Sequence, residues 1–247
     1  MTLRAVNISK AYNGVKALDE VSLDFAAHGV TAIIGPNGAG KTTLIDVLTG
    51  FQRSDSGTTY LGGLEITRLP PARIARLGIV RTFQEVQTVW RESVLENVMV
   101  AVSSRREQLL RSLAPRGRRK EEERIRSHAL EAIRLVGLVD RIGDTASELS
   151  YGQRKLLTLA RCFAANPKWL VLDEPVSGVS PVMARDILRA IRTITDRGHV
   201  VVMIEHNMLA VREVANAVVV LDRGKVIASG NAADVLGRKD VLEAYLA

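Results

Sequence analysis

Aromatic residues are scarce in this chain, with two Trp, four Tyr and four Phe in 247 positions. That scarcity argues against a surface for single-stranded nucleic acid, which needs aromatic side chains set in a basic groove for bases to stack on. A single cysteine, Cys162, excludes an internal disulfide and with it the stapled framework of small secreted domains. No apolar run approaches the ~20 residues of a membrane-spanning helix. The start, "MTLRAVNISKAYNG", lacks the hydrophobic block of a signal peptide. These absences point to the cytoplasm and leave room for attachment to a membrane partner.

What is present is a chain long enough to bury one large core or a core plus a subdomain. Its formal charge is +7, and much of the excess lies in "SRREQLLRSLAPRGRRKEEERIR", residues 104–126. Such runs are usually solvated faces, so a helical hairpin in water is preferred to a contact with anionic lipid or nucleic acid. No aromatic residue interleaves the run.

The segments "LRAVNIS", "ALDEVSLDF" and "VTAIIG" read as short strands, the last running into a Gly-rich loop. "KTTLIDVLTG" follows as a helix closed by Gly50, "GTTYLGG" as a hairpin, and "PPARIARLG" as a short helix between Pro and Gly78. "IVRTFQ" is a strand that leads into a loop. From residues 86 to 165 the periodicity turns helical, which predicts an inserted helical subdomain between core segments 1–85 and 166–247. Strand and helix then alternate again through "WLVLDEP", "SPVMARDILRAIRTITDRG", "HVVVMIEH", "MLAVREVANA" and "VVVLDRG", the pattern of a parallel sheet covered by helices.

"GPNGAGKTT" comprises Gly35, Pro36, Asn37, Gly38, Ala39, Gly40, Lys41, Thr42 and Thr43 and fits the G-x-x-x-x-G-K-[ST] phosphate loop. A buried strand precedes it and a helix follows, so backbone N–H groups gather at a helix start and suit phosphate. The glycines allow tight turning and close approach to phosphate oxygens. Lys41 is expected against the β/γ-phosphates of ATP, and the Thr42 hydroxyl on Mg²⁺.

"WLVLDEP" sets Asp173 and Glu174 at the carboxyl end of a buried strand, where open α/β sheets bind ligands. Adjacent acids repel unless a cation or solvent compensates, so Asp173 is the expected Mg²⁺ partner, through water, and Glu174 either the general base or the group that orients the attacking water. "VVVMIEHNM" repeats the pattern and brings His206 to a strand exit, within reach of a γ-phosphate. Gln84, in "RTFQEV", has an amide suited to touch both Mg²⁺ and the attacking water. Tyr12, in "SKAYNG", offers a ring for adenine. "ELSYGQRKLL", residues 148–157, is a second helix start of the kind that attracts anions.

In this order, Tyr12, the phosphate loop, Gln84, "LSYGQ", "VLDEP" and His206 resemble the ATPase subunit of an ABC transporter over essentially the whole chain. The resemblance implies a P-loop NTPase core of RecA-like α/β type, with a parallel sheet, an N-terminal antiparallel β subdomain and an inserted helical one. It implies that two subunits pair head to tail, each giving Ser150, Tyr151, Gly152 and Gln153 to the γ-phosphate held by the other. In that reading Ser150 caps the helix and touches phosphate, Gly152 permits close approach and Gln153 contacts the ribose. Tyr151 stands where the superfamily usually has Gly, and Ser180 where it often has Asp.

"GPNGAGKTTLIDVLTGF", "GIVRTFQ", "LSYGQRKLLTLARC" and "DVLEAYLA" are further similar to ATPases of importers for branched-chain amino acids and related amino acids, amides or urea. The partners this implies are a second ATPase subunit (identical or paralogous), transmembrane permease chains and, indirectly, a periplasmic solute-binding protein. No specific nucleic acid is implied. The implied place is the cytoplasmic face of the inner membrane. Val86, Val89 and Trp90, beside Gln84, are either an apolar landing for the permease or buried core. The rival readings are a nucleic-acid-associated ABC clamp, an exporter ATPase and a non-hydrolysing scaffold.

Overall fold

The computed structural model describes residues 1–82, 88–103, 115–238 and 241. They divide into two compact units, the first made of residues 1–81, 168–175 and 195–247, the second of 82–167 and 176–194. The sequence pattern alone places the helical segment at 86–165; the second unit also takes in the helix that follows residue 180.

The first unit holds two sheets. Strands β1 (Leu3–Tyr12), β2 (Val15–Phe25), β4 (Ser56–Leu61) and β5 (Leu64–Glu65) form an antiparallel sheet in the order β2-β1-β4-β5. Strands β3 (Gly29–Ile34), β6 (Ile79–Arg81), β7 (Trp169–Asp173), β8 (Val200–Ile204), β9 (Ala217–Asp222) and β10 (Lys225–Asn231) form the other, ordered β10-β9-β3-β8-β7-β6. All its pairings are parallel except β9 with β10. β10 is absent from the sequence reading, and its alternating polar, exposed face explains why. The residues of β7 and β8 are buried throughout, which is why these strands read as unbroken Val, Leu and Ile runs rather than as alternation.

Helices α1 (Lys41–Leu48), α2 (Pro71–Arg76), α7 (Met208–Val214) and α8 (Ala232–Val235) belong to this unit. One core joins both sheets to α1: Leu3, Ile8, Leu18, Ile33, Leu44, Ile45, Leu61, Trp169 and Leu221 are among its buried members. Each such side chain contributes about 1.5–3 kcal/mol by leaving water. The core therefore fixes where the strand ends, and the loops leaving them, must lie.

The second unit packs α3 (Val94–Ser103), α4 (Pro115–Leu135) and α5 (Tyr151–Ala164) against one another. Val98, Val102, Ala129, Ala132, Ile133, Leu157 and Ala160 are buried there. Helix α6 (Pro181–Asp196) falls almost wholly in this unit. Buried Asn97 orders the entry to α3, accepting from the Val89 N–H and donating to the carbonyls of Val89, Glu92 and Ser93 at 2.8–3.1 Å. Among the described residues no helix is long and apolar enough to cross a membrane.

Candidate active site

The apolar run of β3 stops at Ile34, and residues 35–40 swing back to begin α1 at Lys41. A Cβ on Gly35 (φ 149°) would lie 2.0 Å from the Leu221 carbonyl oxygen, and one on Gly40 (φ 98°) 2.2 Å from that of Ala17. Gly38 has open space around it and is needed for its φ of 79° alone. The chain's own carbonyls thus demand two of the three glycines, before any phosphate is considered. The Gly224 N–H donates to the Ala39 carbonyl at 3.0 Å, and the Asp19 N–H to the Gly224 carbonyl at 2.9 Å, so the loop is buttressed from β2 and from the β9–β10 turn.

Lys41 Nζ donates to the carbonyls of Gly35 and Pro36, both at 2.8 Å, closing the loop on itself. Burial lowers the Lys41 pKa, while the carboxylates of Glu174 and Asp173 pull it back upward. Their influence sets all three charges in one electrostatic neighbourhood. Tyr12 ends β1, half exposed, with Lys10 Nζ 5.4 Å from its ring centre. It pairs with Val15 across the same hairpin whose Ala17 abuts Gly40.

The sheet register aligns the remaining groups. Ile33 lies beside Ile204, and Ile204 beside Asp173, so the loop after β3, the exit of β8 and the acid end of β7 share one edge. Glu174 has φ 47°, a left-handed conformation that costs a non-glycine residue on the order of 1–2 kcal/mol. Its N–H donates to the Ile204 carbonyl at 3.0 Å. Its Oε1 lies 3.6 Å from His206 Nδ1. Buried Glu205 accepts from the N–H groups of His206 and Asn207 at 3.2 Å, and Asn207 caps α7, so the His206 backbone is held from both sides.

Sequence reasoning overlooked Arg81. It donates to Asp46 on α1 and, at 3.1 Å, to Asp173 Oδ2. Burial raises the Asp173 pKa, and the Arg81 hydrogen bond and charge oppose that rise. The available signal was a cation in the short strand "IVR", but its acids are 35 and 92 positions away in sequence. Gln84 and Val86 lie outside the described residues.

Among the described residues no cluster of three or more His, Cys, Asp or Glu forms a metal cage. Thr42 and Asp173 supply hard oxygen donors beside an anion-suited loop. That set fits Mg²⁺, which typically takes one or two protein oxygens together with substrate phosphates and water.

In the second unit Ser150 begins α5 with a capping box: Ser150 Oγ accepts from the Gln153 N–H at 3.3 Å, and Gln153 Oε1 from the Ser150 N–H at 2.9 Å. A Cβ on Gly152 would meet Met183 Cγ at 2.2 Å, so close packing on α6 requires glycine there. Tyr151 is exposed, with Lys155 Nζ 5.4 Å from its ring centre. The helical spacing predicts one buried face of Leu156, Leu159, Ala160 and Phe163; the first three are buried, joined by Leu157 and Cys162, whereas Phe163 is only half-buried. Arg154 donates to the Leu149 carbonyl and sets its guanidinium 5.0 Å from the Trp90 ring centre. Val89 and Trp90 are both exposed, not core. Ser180 accepts from the Met183 N–H at 3.3 Å, at the start of α6.

Residues 18–177 match the ABC transporter family. A probable branched-chain amino acid transport ATP-binding protein LivG of Archaeoglobus fulgidus is 38% identical, covering 99% of this chain and 95% of its own length. A high-affinity branched-chain amino acid transport ATP-binding protein LivG of Salmonella typhimurium is 34% identical over 99% of this chain and 97% of its own. Among solved structures, a nucleotide-free ATP-binding cassette from an ABC transporter superposes with TM-score 0.84 at 36% identity, covering 100% of both chains. The ADP conformation of an ATP-binding cassette of an ABC transporter superposes with TM-score 0.85 at 35% identity, covering 100% of this chain and 99% of the other. With a phosphate loop, an acid pair and a histidine on one sheet edge, and with these matches along nearly its whole length, the chain belongs to the ABC transporter family of ATPases.

Proposed function

We propose that this ATPase drives an importer for branched-chain or related amino acids, amides or urea, by closing on a second ABC ATPase subunit when ATP binds. The gathering of Lys41, Asp173, Glu174 and His206 at one edge of a parallel sheet carries the reaction. The transport names of the relatives, together with their coverage, support the substrate class.

In this reading the N–H groups of residues 38–42 hold the phosphates, and Lys41 exchanges its two loop carbonyls for phosphate oxygens. Thr42, Asp173 and Gln84 are the residues that would hold Mg²⁺, and the ion would supply positive charge to neutralise the phosphates. Glu174 accepts the proton of the attacking water, and His206 keeps that carboxylate and the γ-phosphate in register. The Tyr12 ring stacks on adenine. Ser150, Tyr151, Gly152 and Gln153 of one subunit close over the nucleotide of the other, and loss of the γ-phosphate releases them. Exposed Val89 and Trp90 face a permease chain, through which the subunit sits on the cytoplasmic side of the membrane and answers a solute-binding protein outside.

Glu174→Gln tests the scheme. Steady-state turnover should fall ~10²–10⁴-fold while an ATP-loaded dimer accumulates on size exclusion. A variant that stays monomeric and hydrolyses ATP at the wild-type rate refutes it. Co-purification with permease chains, followed by amino-acid binding to the associated solute receptor, tests the substrate class.

A further inference from the structure

Arg81 is a buried cation beside the acid strand, engaged by two carboxylates. Its side chain is 6% exposed and that of Asp173 is 8% exposed, whereas Asp46 keeps 29%. One nitrogen of the guanidinium reaches Asp46 on the helix that follows the phosphate loop, and the other reaches Asp173 at the end of β7. The guanidinium carbon also lies 5.8 Å from the ring centre of Phe51, just beyond that helix. A single planar fork therefore joins the helix that begins with Lys41 and Thr42 to the strand that ends with Asp173.

The charges balance in a particular way. Arg81 alone beside Asp173 would cancel the carboxylate and weaken its pull on a cation. Asp46 supplies a second negative charge, so the three side chains together remain at minus one. The site keeps its attraction for a divalent ion while the carboxylate is held. Lysine could supply the charge but not two directed bonds in one plane.

We infer that Arg81 is a positioning residue for nucleotide-linked Mg²⁺ binding: it fixes the Asp173 carboxylate and ties it to α1, so that oxygen donors from helix and strand are presented as one set. This rests on the reading of Asp173 and Thr42 as Mg²⁺ partners. Groups that orient a metal ligand from behind typically matter about 10–100-fold in metal affinity. A role in charge alone has the opposite signature. Deleting a cation from an anionic cluster would then tighten Mg²⁺ binding rather than loosen it.

The experiment is calorimetric titration of the full chain with ADP in EDTA, and with ADP held constant while Mg²⁺ is varied. For Arg81→Lys and Arg81→Met, the half-saturating Mg²⁺ concentration should rise about tenfold, with metal-free ADP affinity within about twofold of wild type. Asp46→Asn should shift the Mg²⁺ requirement in the same direction by less. Unchanged or tighter Mg²⁺ binding in the Arg81 variants overturns the inference, as does a parallel loss of metal-free ADP affinity. If Arg81→Met fails to give a cooperative melt, Arg81→Lys and Asp46→Asn carry the same readout. Asp173→Asn separates the two levels: an unmoved Mg²⁺ requirement there overturns the Asp173 reading itself, whereas a shift there without one at Arg81 overturns only the role of Arg81.

Discussion

Two helix starts in this chain suit an anion, and they are built on opposite principles. Helix α1 begins at Gly40, in a left-handed conformation, with no side chain capping its first turn. Helix α5 begins at Ser150, whose hydroxyl and the Gln153 amide already satisfy each other's backbone N–H groups. The first is a socket shaped by its surroundings and left uncapped for a ligand. The second is self-sufficient, so a phosphate reaching Ser150 must compete with the existing cap. In the proposed cycle this makes nucleotide capture strong and subunit closure an exchange of similar hydrogen bonds, worth little net and easily reversed.

The largest way to break the contrast is Gly35→Ala. Its Cβ would strike the Leu221 carbonyl, a backbone atom that cannot step aside. Strain and overpacking should cost about 3 kcal/mol, with nucleotide binding lost in an equilibrium titration. Gly152→Ala should cost less, roughly 1–2 kcal/mol, because the obstacle is the flexible Met183 side chain. Adding Met183→Ala should recover part of that loss, and strict additivity in the double-mutant cycle would contradict the packing account.

Ser150→Ala sharpens the comparison further. Removing the cap should cost about 1 kcal/mol. That corresponds to about 2–4 °C of melting temperature for a domain of this size. An unchanged melting temperature would show that α5 does not depend on its box. The smallest effect concerns Cys162, on the buried face of α5, whose thiol burial pushes up to about 12. At pH 8 its thiolate fraction is then ~10⁻⁴, so a maleimide should label the folded chain slowly and the denatured chain fast. Rapid labelling of the native protein would mean that this end of α5 opens readily.

Much of the candidate site was legible as a set of neighbouring strand exits because each piece is local. The phosphate loop, Asp173–Glu174 and His206 each follow an apolar strand directly, and a strand exit is visible in a single window of sequence. What escaped is non-local. Arg81 meets its acids across 35 and 92 residues, and Gly35 and Gly40 owe their identity to Leu221 and Ala17. No window contains both members of those pairs. Trp90 and Val89 were ambiguous for a different reason: hydrophobicity does not say which side of a loop faces water, and here both are exposed. Strand β10 was missed because an edge strand with one wet face leaves only Ala228 fully buried as a signal.

The lysine of the phosphate loop, resting on two carbonyls at 2.8 Å, bears on the speed of recharging. A long cationic arm waving in solvent would surrender about 2 kcal/mol of rotamer freedom on catching its target. In the proposed cycle the arm starts already parked on those carbonyls, so an arriving triphosphate would only lift it from one pair of oxygens to another, and a departing diphosphate would return it to the same berth.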